Sequence, residues 1–116
     1  MTKLQQLEEE IKALKESIGS KPMVEYTQLY DLGSDRFALR APLNITLEFY
    51  EDEVIAKLPE VEVWGAGNTE SLAILDFKGQ LVSMYEDLVE FEADGTLGKL
   101  PRMWLKALKK IIVEEP

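Results

Sequence analysis

Between Leu43 and Trp64 hydrophobicity alternates with a period of two, and from Glu70 onward it recurs at the spacing of a helix. That switch limits the chain to folds in which a β-meander is followed by a helix that covers it. Leu43, Ile45, Leu47 and Phe49 take one face of the first strand; Asn44, Thr46, Glu48 and Tyr50 take the other. Glu51-Asp52-Glu53 forms a tight acidic turn. Val54, Ala56 and Leu58 return inward, with Ile55 and Lys57 outward. After Pro59, Val61 and Val63 alternate against Glu60, Glu62 and Trp64. One apolar face per strand is expected of an antiparallel sheet covered on one side.

Gly65-Ala66-Gly67-Asn68-Thr69 turns the chain into a helix predicted over 70–89, with Asn68 or Thr69 as N-cap and Glu70 at the positive helix end. Its apolar stripe is Ile74, Phe77, Leu81, Met84/Tyr85 and Leu88, with Leu72 and Leu75 beside it, and Gly79 in mid-helix marks close packing. Residues 90–98 form a polar connector. Pro101 suits a first helical position, and a last helix over 101–113 carries Trp104, Leu105, Leu108, Ile111 and Ile112 on its apolar side. Upstream, Val24, Tyr26, Gln28, Tyr30 and Leu32 share one side of a strand. Gly33-Ser34-Asp35 is a turn and Phe37–Ala41 a second strand, so 24–41 predicts a hairpin. Pro42 marks a break or an edge.

The first twenty residues carry a heptad. Leu4, Leu7, Ile11, Leu14 and Ile18 fall at a-d-a-d-a, a choice that favours a parallel two-stranded coil. Lys3 and Glu10 then occupy g, and Glu8 and Lys15 occupy e, so a parallel partner meets opposite charges. The alternative is one amphipathic helix packed on its own domain, because little more than two heptads are present. Gly19-Ser20-Lys21-Pro22 ends the helix.

The absence of His and Cys excludes much chemistry. No disulfide framework, thiol nucleophile, Cys-type zinc site or Ser-His-Asp triad can be built. Net charge is −9 over 116 residues, unevenly spread: residues 43–95 carry 2 basic and 13 acidic groups, whereas 96–113 carry 5 basic and none acidic. This pattern argues against nucleic acid as a partner of this chain alone, and it admits two readings, a solvated surface or a docking face for a cationic protein. No apolar run has membrane-spanning length. The charged N-terminus lacks a signal-peptide core, giving a cytoplasmic expectation.

Three motifs bear on chemistry. Gly65-x-Gly67 is half of a dinucleotide fingerprint, but Glu70 stands where the third glycine belongs, so the glycines are assigned to the turn and no cofactor is expected. The acids Glu48, Glu51, Asp52, Glu53, Glu60 and Glu62 lack the spacing of a calcium loop, so no metal site is expected. Arg102, Lys106, Lys109 and Lys110 share a helix face, where cations near a C-terminus complement the helix dipole.

From Leu43 to Leu88 the order is strand, acidic turn, strand, Pro-acid-aliphatic step, strand, Gly-x-Thr turn, long helix. Through Ile45–Phe49, Val54–Leu58, Pro59-Glu60-Val61, Gly67-Asn68-Thr69 and Ala73, this stretch resembles the HicB-like antitoxin family. Asn68 departs from the usual Asp, and Leu72 stands where Glu is common. The resemblance implies a partial ribonuclease-H fold that neutralises a small basic, RNA-cleaving toxin; it implies no ribonuclease activity, because the inward strand positions are apolar. The family's C-terminal DNA-binding domain is not evident.

The reading is therefore an α+β domain over 24–116, an antiparallel β-sheet with a long helix packed on one face and a basic C-terminal helix. A coiled-coil-like dimerisation helix precedes it over 1–20. The expected function is non-enzymatic: binding a basic toxin through Glu48, Glu51, Asp52, Glu53, Glu60, Glu62 and Trp64, with a homodimer held by Leu4, Leu7, Ile11, Leu14 and Ile18. The alternative is an oligomeric interaction module of the same fold without a toxin. A third class, an acid-dependent enzyme or ligand binder, needs carboxylates that converge in a cleft.

Overall fold

The computed structural model describes residues 22–115. The predicted helix over 1–20, with Leu4, Leu7, Ile11, Leu14 and Ile18, lies outside the described residues. The strands are β1 (Met23–Leu29), β2 (Phe37–Leu39), β3 (Leu43–Phe49), β4 (Val54–Leu58), β5 (Val63–Gly67) and β6 (Ile112–Glu114). The helices are α1 (Glu70–Ala93) and α2 (Lys99–Ile111). β1-β3-β4-β5 form an antiparallel sheet, while β2 and β6 pair apart from it. The fold is α+β, with α1 packed on β4 and β5.

The expected faces of β3 and β4 are observed. Leu43, Ile45, Leu47, Val54, Ala56 and Leu58 are buried, and Phe49 packs against them half-buried. Ala73, Phe77, Leu81, Tyr85 and Leu88 of α1 close the core from above, and Leu105, Leu108 and Ile112 seal its far end. Ile74 and Met84 flank the stripe, whereas Leu72 and Leu75 are exposed. Thr69 is the N-cap: its Oγ1 accepts from Leu72 N–H at 3.2 Å. Val61 and Val63 are both buried, but by way of a 3-10 turn over Pro59–Val61 and a left-handed Glu62 (φ 56).

The predicted hairpin over 24–41 does not form. β1 pairs with β3, setting Leu29 opposite Leu43, and β2 pairs with β6, setting Phe37 opposite Glu114 and Leu39 opposite Ile112. Burial explains the departure of β2. Phe37 is buried edge-to-face on Tyr85 of α1, with ring centroids 5.3 Å apart, which pulls its strand away from the sheet. Its backbone is satisfied instead by the chain leaving α2. Arg40 N–H donates to Ile111 O at 2.8 Å, Glu115 N–H donates to Arg36 O at 2.6 Å, and Arg36 pairs with Glu114 at 2.9 Å. That charge pair raises the Arg36 pKa further above its already high ordinary value.

Helix boundaries also shift. α1 continues to Ala93 because Glu90, Phe91, Glu92 and Ala93 leave the helical ladder intact until Gly95 turns left-handed (φ 72). α2 starts at Lys99 after Gly98, so Pro101 is its third residue rather than its first. Ile112 and Val113 are extended, since they pair with β2 instead of prolonging the helix.

The glycines exchange roles relative to expectation. A Cβ on Gly79 would meet nothing within 4 Å, so that residue marks no close packing. A Cβ on Gly65 would stand 2.2 Å from Phe77 N, and one on Gly67 would stand 2.6 Å from Leu72 Cβ. Gly65-x-Gly67 therefore serves the seating of α1 on β5 rather than the turn.

Candidate functional site

The sheet presents its second face without a covering helix among the described residues. Strand register arranges that face in rows. Tyr26 stands opposite Thr46, Thr46 opposite Lys57, and Lys57 opposite Trp64. The next row is Val24, Glu48, Ile55 and Ala66. Gln28 and Asn44 form a shorter third row. Side-chain alternation dictates this set, and α1 packs against β4 and β5 on the opposite face.

Several polar groups of the face pair with one another. Lys57 Nζ lies 2.6 Å from Glu48 Oε2, with the Glu48 side chain largely covered. Tyr50 O–H donates to Glu48 Oε1 at 2.9 Å, and this bond, with burial and the carboxylate charge behind it, raises the phenol above its ordinary value. Gln28 Nε2 donates to Asn44 Oδ1 at 2.9 Å, and Tyr30 O–H donates to Gln28 Oε1 at 3.2 Å. What remains for solvent is aromatic and aliphatic. Tyr26 is 81% exposed, Trp64 59%, and Val24, Tyr30 and Tyr50 are exposed as well. Aromatic side chains with satisfied polar neighbours are the composition of a binding surface rather than of an ordinary one.

The acids named from sequence do not gather in one place. Glu51, Asp52 and Glu53 lie in the β3–β4 turn, at one end of β4. Glu60 and Glu62 lie in the β4–β5 connection at its other end, so the two groups are separated by about 16 Å of strand. Glu48 and Trp64 sit between them on the open face. The arrangement is an aromatic surface with an acidic rim at each end. Tyr26, Tyr30 and Ile55 belong to it and were absent from the sequence-derived site. The alternation Val24, Tyr26, Gln28, Tyr30 was visible, but only the β1–β3 pairing places it beside Lys57 and Trp64.

Other regions offer less. Among the described residues no three acidic side chains are placed to hold a metal ion. A groove of about 390 Å³ between α1 and the start of α2 is lined by Met84, Leu88, Phe91, Leu97, Pro101 and Trp104, with Asp87 as the one titratable residue of its lining. Two basic residues of α2 are met from within the chain: Lys109 Nζ lies 2.8 Å from Glu92 Oε1, and Arg102 donates to Leu97 O at 3.1 Å. No described helix is long and apolar enough to cross a membrane. Comparison with protein-family models, curated proteins and solved structures yields no match.

Proposed function

We propose that this chain is a non-enzymatic, antitoxin-like protein that binds and neutralises a small basic protein toxin, of the RNA-cleaving kind, in the manner of the HicB-like family it resembles. The observation that carries the reading is the open sheet face, with Tyr26, Trp64, Val24 and Tyr50 exposed between the acidic rims at Glu51–Glu53 and Glu60/Glu62. Such a surface suits a protein partner with an apolar centre and a cationic border. Buried aromatics supply most of the binding energy of an interface, while rim charges steer encounter and exclude wrong partners. The reading requires no catalytic group of this chain and no cofactor.

The test is co-purification with a small basic protein encoded beside this one. The pair associates at low salt and weakens as salt screens the rims, and the basic protein is toxic when expressed alone. Tyr26→Ala and Trp64→Ala each weaken the complex about tenfold or more. A neighbour that neither co-purifies nor is toxic sinks the proposal. A second reading, an oligomeric interaction module without a toxin, is favoured by the heptad Leu4, Leu7, Ile11, Leu14 and Ile18. It predicts a stable homodimer with no basic partner, abolished when Leu7 and Leu14 become Lys.

A further inference from the structure

The two edges of the sheet are treated differently. Tyr50 N–H donates to Glu53 O at 2.8 Å, which sets the parity of the whole ladder. Glu48 and Thr46 direct their backbone groups toward β4, and Phe49, Leu47, Ile45 and Leu43 direct theirs toward β1. Carried across β4, the same parity leaves Trp64 and Ala66 facing outward from β5. At that edge α1 intervenes, and Asp76 Oδ2 accepts from Ala66 N–H at 2.9 Å.

Carried the other way, the parity leaves the backbone N–H and C=O groups of Val24, Tyr26 and Gln28 pointing away from β3. Among the described residues no strand pairs with them. β1 is a seven-residue strand in unbroken register with β3, and it carries no Pro, no Lys and no bulge. Of the devices by which sheets protect a free edge, β1 carries a single charge, Glu25.

We propose that this edge pairs with β1 of a second copy of the chain, antiparallel, about a two-fold axis at Tyr26. The register is self-complementary. Tyr26 meets its own counterpart and Val24 meets Gln28, so all three outward-facing residues become hydrogen-bonded pairs, each exchanging two bonds. Met23, an exposed apolar residue, meets Leu29, and Glu25 meets Thr27. The neighbouring registers are worse. Centring on Glu25 sets the two Glu25 residues opposite one another with Cα atoms about 4.5 Å apart, a destabilising like-charge pair. Centring on Thr27 shortens the overlap and strands the outward groups of Val24. The Tyr26 register joins the two sheets into one continuous sheet with both aromatic faces on the same side. The pairing is independent of the toxin-binding reading.

The full-length chain tests this. Sedimentation equilibrium over a concentration series shows a mass rising toward twice the 13.2 kDa of one chain. Tyr26→Pro weakens the association tenfold or more. In a single copy the Tyr26 N–H faces solvent, so proline removes no ladder bond from the monomer but deletes a donor from the dimer. Cysteine variants read the register directly, because the chain has no Cys of its own. Tyr26→Cys sets two Cα atoms about 5.5 Å apart, within disulfide reach, and gives a covalent dimer under mild oxidation. Val24→Cys sets its two copies roughly 14 Å apart along the strands and does not. A single-chain mass at the highest concentration, an unweakened Tyr26→Pro dimer, or equal cross-linking of the two cysteine variants overturns the proposal.

Discussion

Gly65 on β5 and Phe77 on α1 approach so closely that a Cβ on Gly65 would stand 2.2 Å from Phe77 N and 2.5 Å from Phe77 Cα. The obstacle is backbone, which cannot rotate aside as a side chain can. This contact sets the height of α1 above the sheet. Gly65→Ala therefore lowers stability by about 3 kcal/mol through overpacking. Gly79→Ala, with nothing within 4 Å of the new methyl, raises it by about 0.5–1 kcal/mol through better helix propensity. Chemical denaturation of the two variants beside the parent checks both signs.

Asp31 ties the loop after β1 to α1. Its Oδ1 accepts from Lys78 Nζ and from Gly33 N–H, each at 2.9 Å. The Lys78 hydrogen bond first, then the Gly33 N–H, then the Lys78 charge, hold the carboxyl below its ordinary value of 3.8. A depressed carboxylate stabilises the fold above the unfolded-state value, and that stabilisation is lost as pH falls through the folded-state value. Asp31→Asn is accordingly less stable than the parent near neutrality, and the gap between their melting temperatures closes as pH drops below 3.8. A gap that stays constant over that window means that the ion pair contributes nothing.

Glu48 and Lys57 brace the middle of the open face. Lys57→Met leaves the largely covered Glu48 carboxylate without its cation and costs about 1 kcal/mol, a surface-discounted figure because Lys57 is 36% exposed. Replacing both partners, Glu48→Leu with Lys57→Met, recovers most of that loss, since two apolar side chains in contact leave no charge uncompensated. A double-mutant cycle by thermal or chemical unfolding measures the coupling.

The β2–β6 ribbon anchors the C-terminal end of the described chain to the core. Ile112 is 1% exposed beside Leu39 of β2 and the apolar side of α2. Ile112→Ala costs about 3 kcal/mol, the usual cost of a large-to-small change in a closed core. Val113→Ala, half-buried in the same strand, costs less than half as much. Comparable losses at the two positions, read by urea denaturation, contradict the burial difference.

Much of the fold was legible in the residues. The faces of β3 and β4 and the stripe of α1 follow from side-chain alternation and helical periodicity, which are properties of neighbouring residues. The N-cap at Thr69 is likewise local, a hydroxyl three residues from the amide it satisfies. What the chain does not encode locally is pairing across distance. Val24–Leu29 has the same alternation whether it meets Phe37–Leu39 or Leu43–Phe49; burial of Phe37 against Tyr85 decides between them. The same is true of Gly65-x-Gly67, whose purpose is visible only once Phe77 and Leu72 stand over it.

The sequence by itself therefore determined an acidic α+β chain without His or Cys chemistry, with a meander whose apolar side a long helix must cover. Only the tertiary structure decided that, among the described residues, Tyr26 and Trp64 share one open face, that the acids divide between its two ends, and that β1 is an edge strand. Composition and periodicity are sums over local residues. A surface is made by strands far apart in the chain, and the free energy that brings them together comes from the core on the opposite side of the sheet.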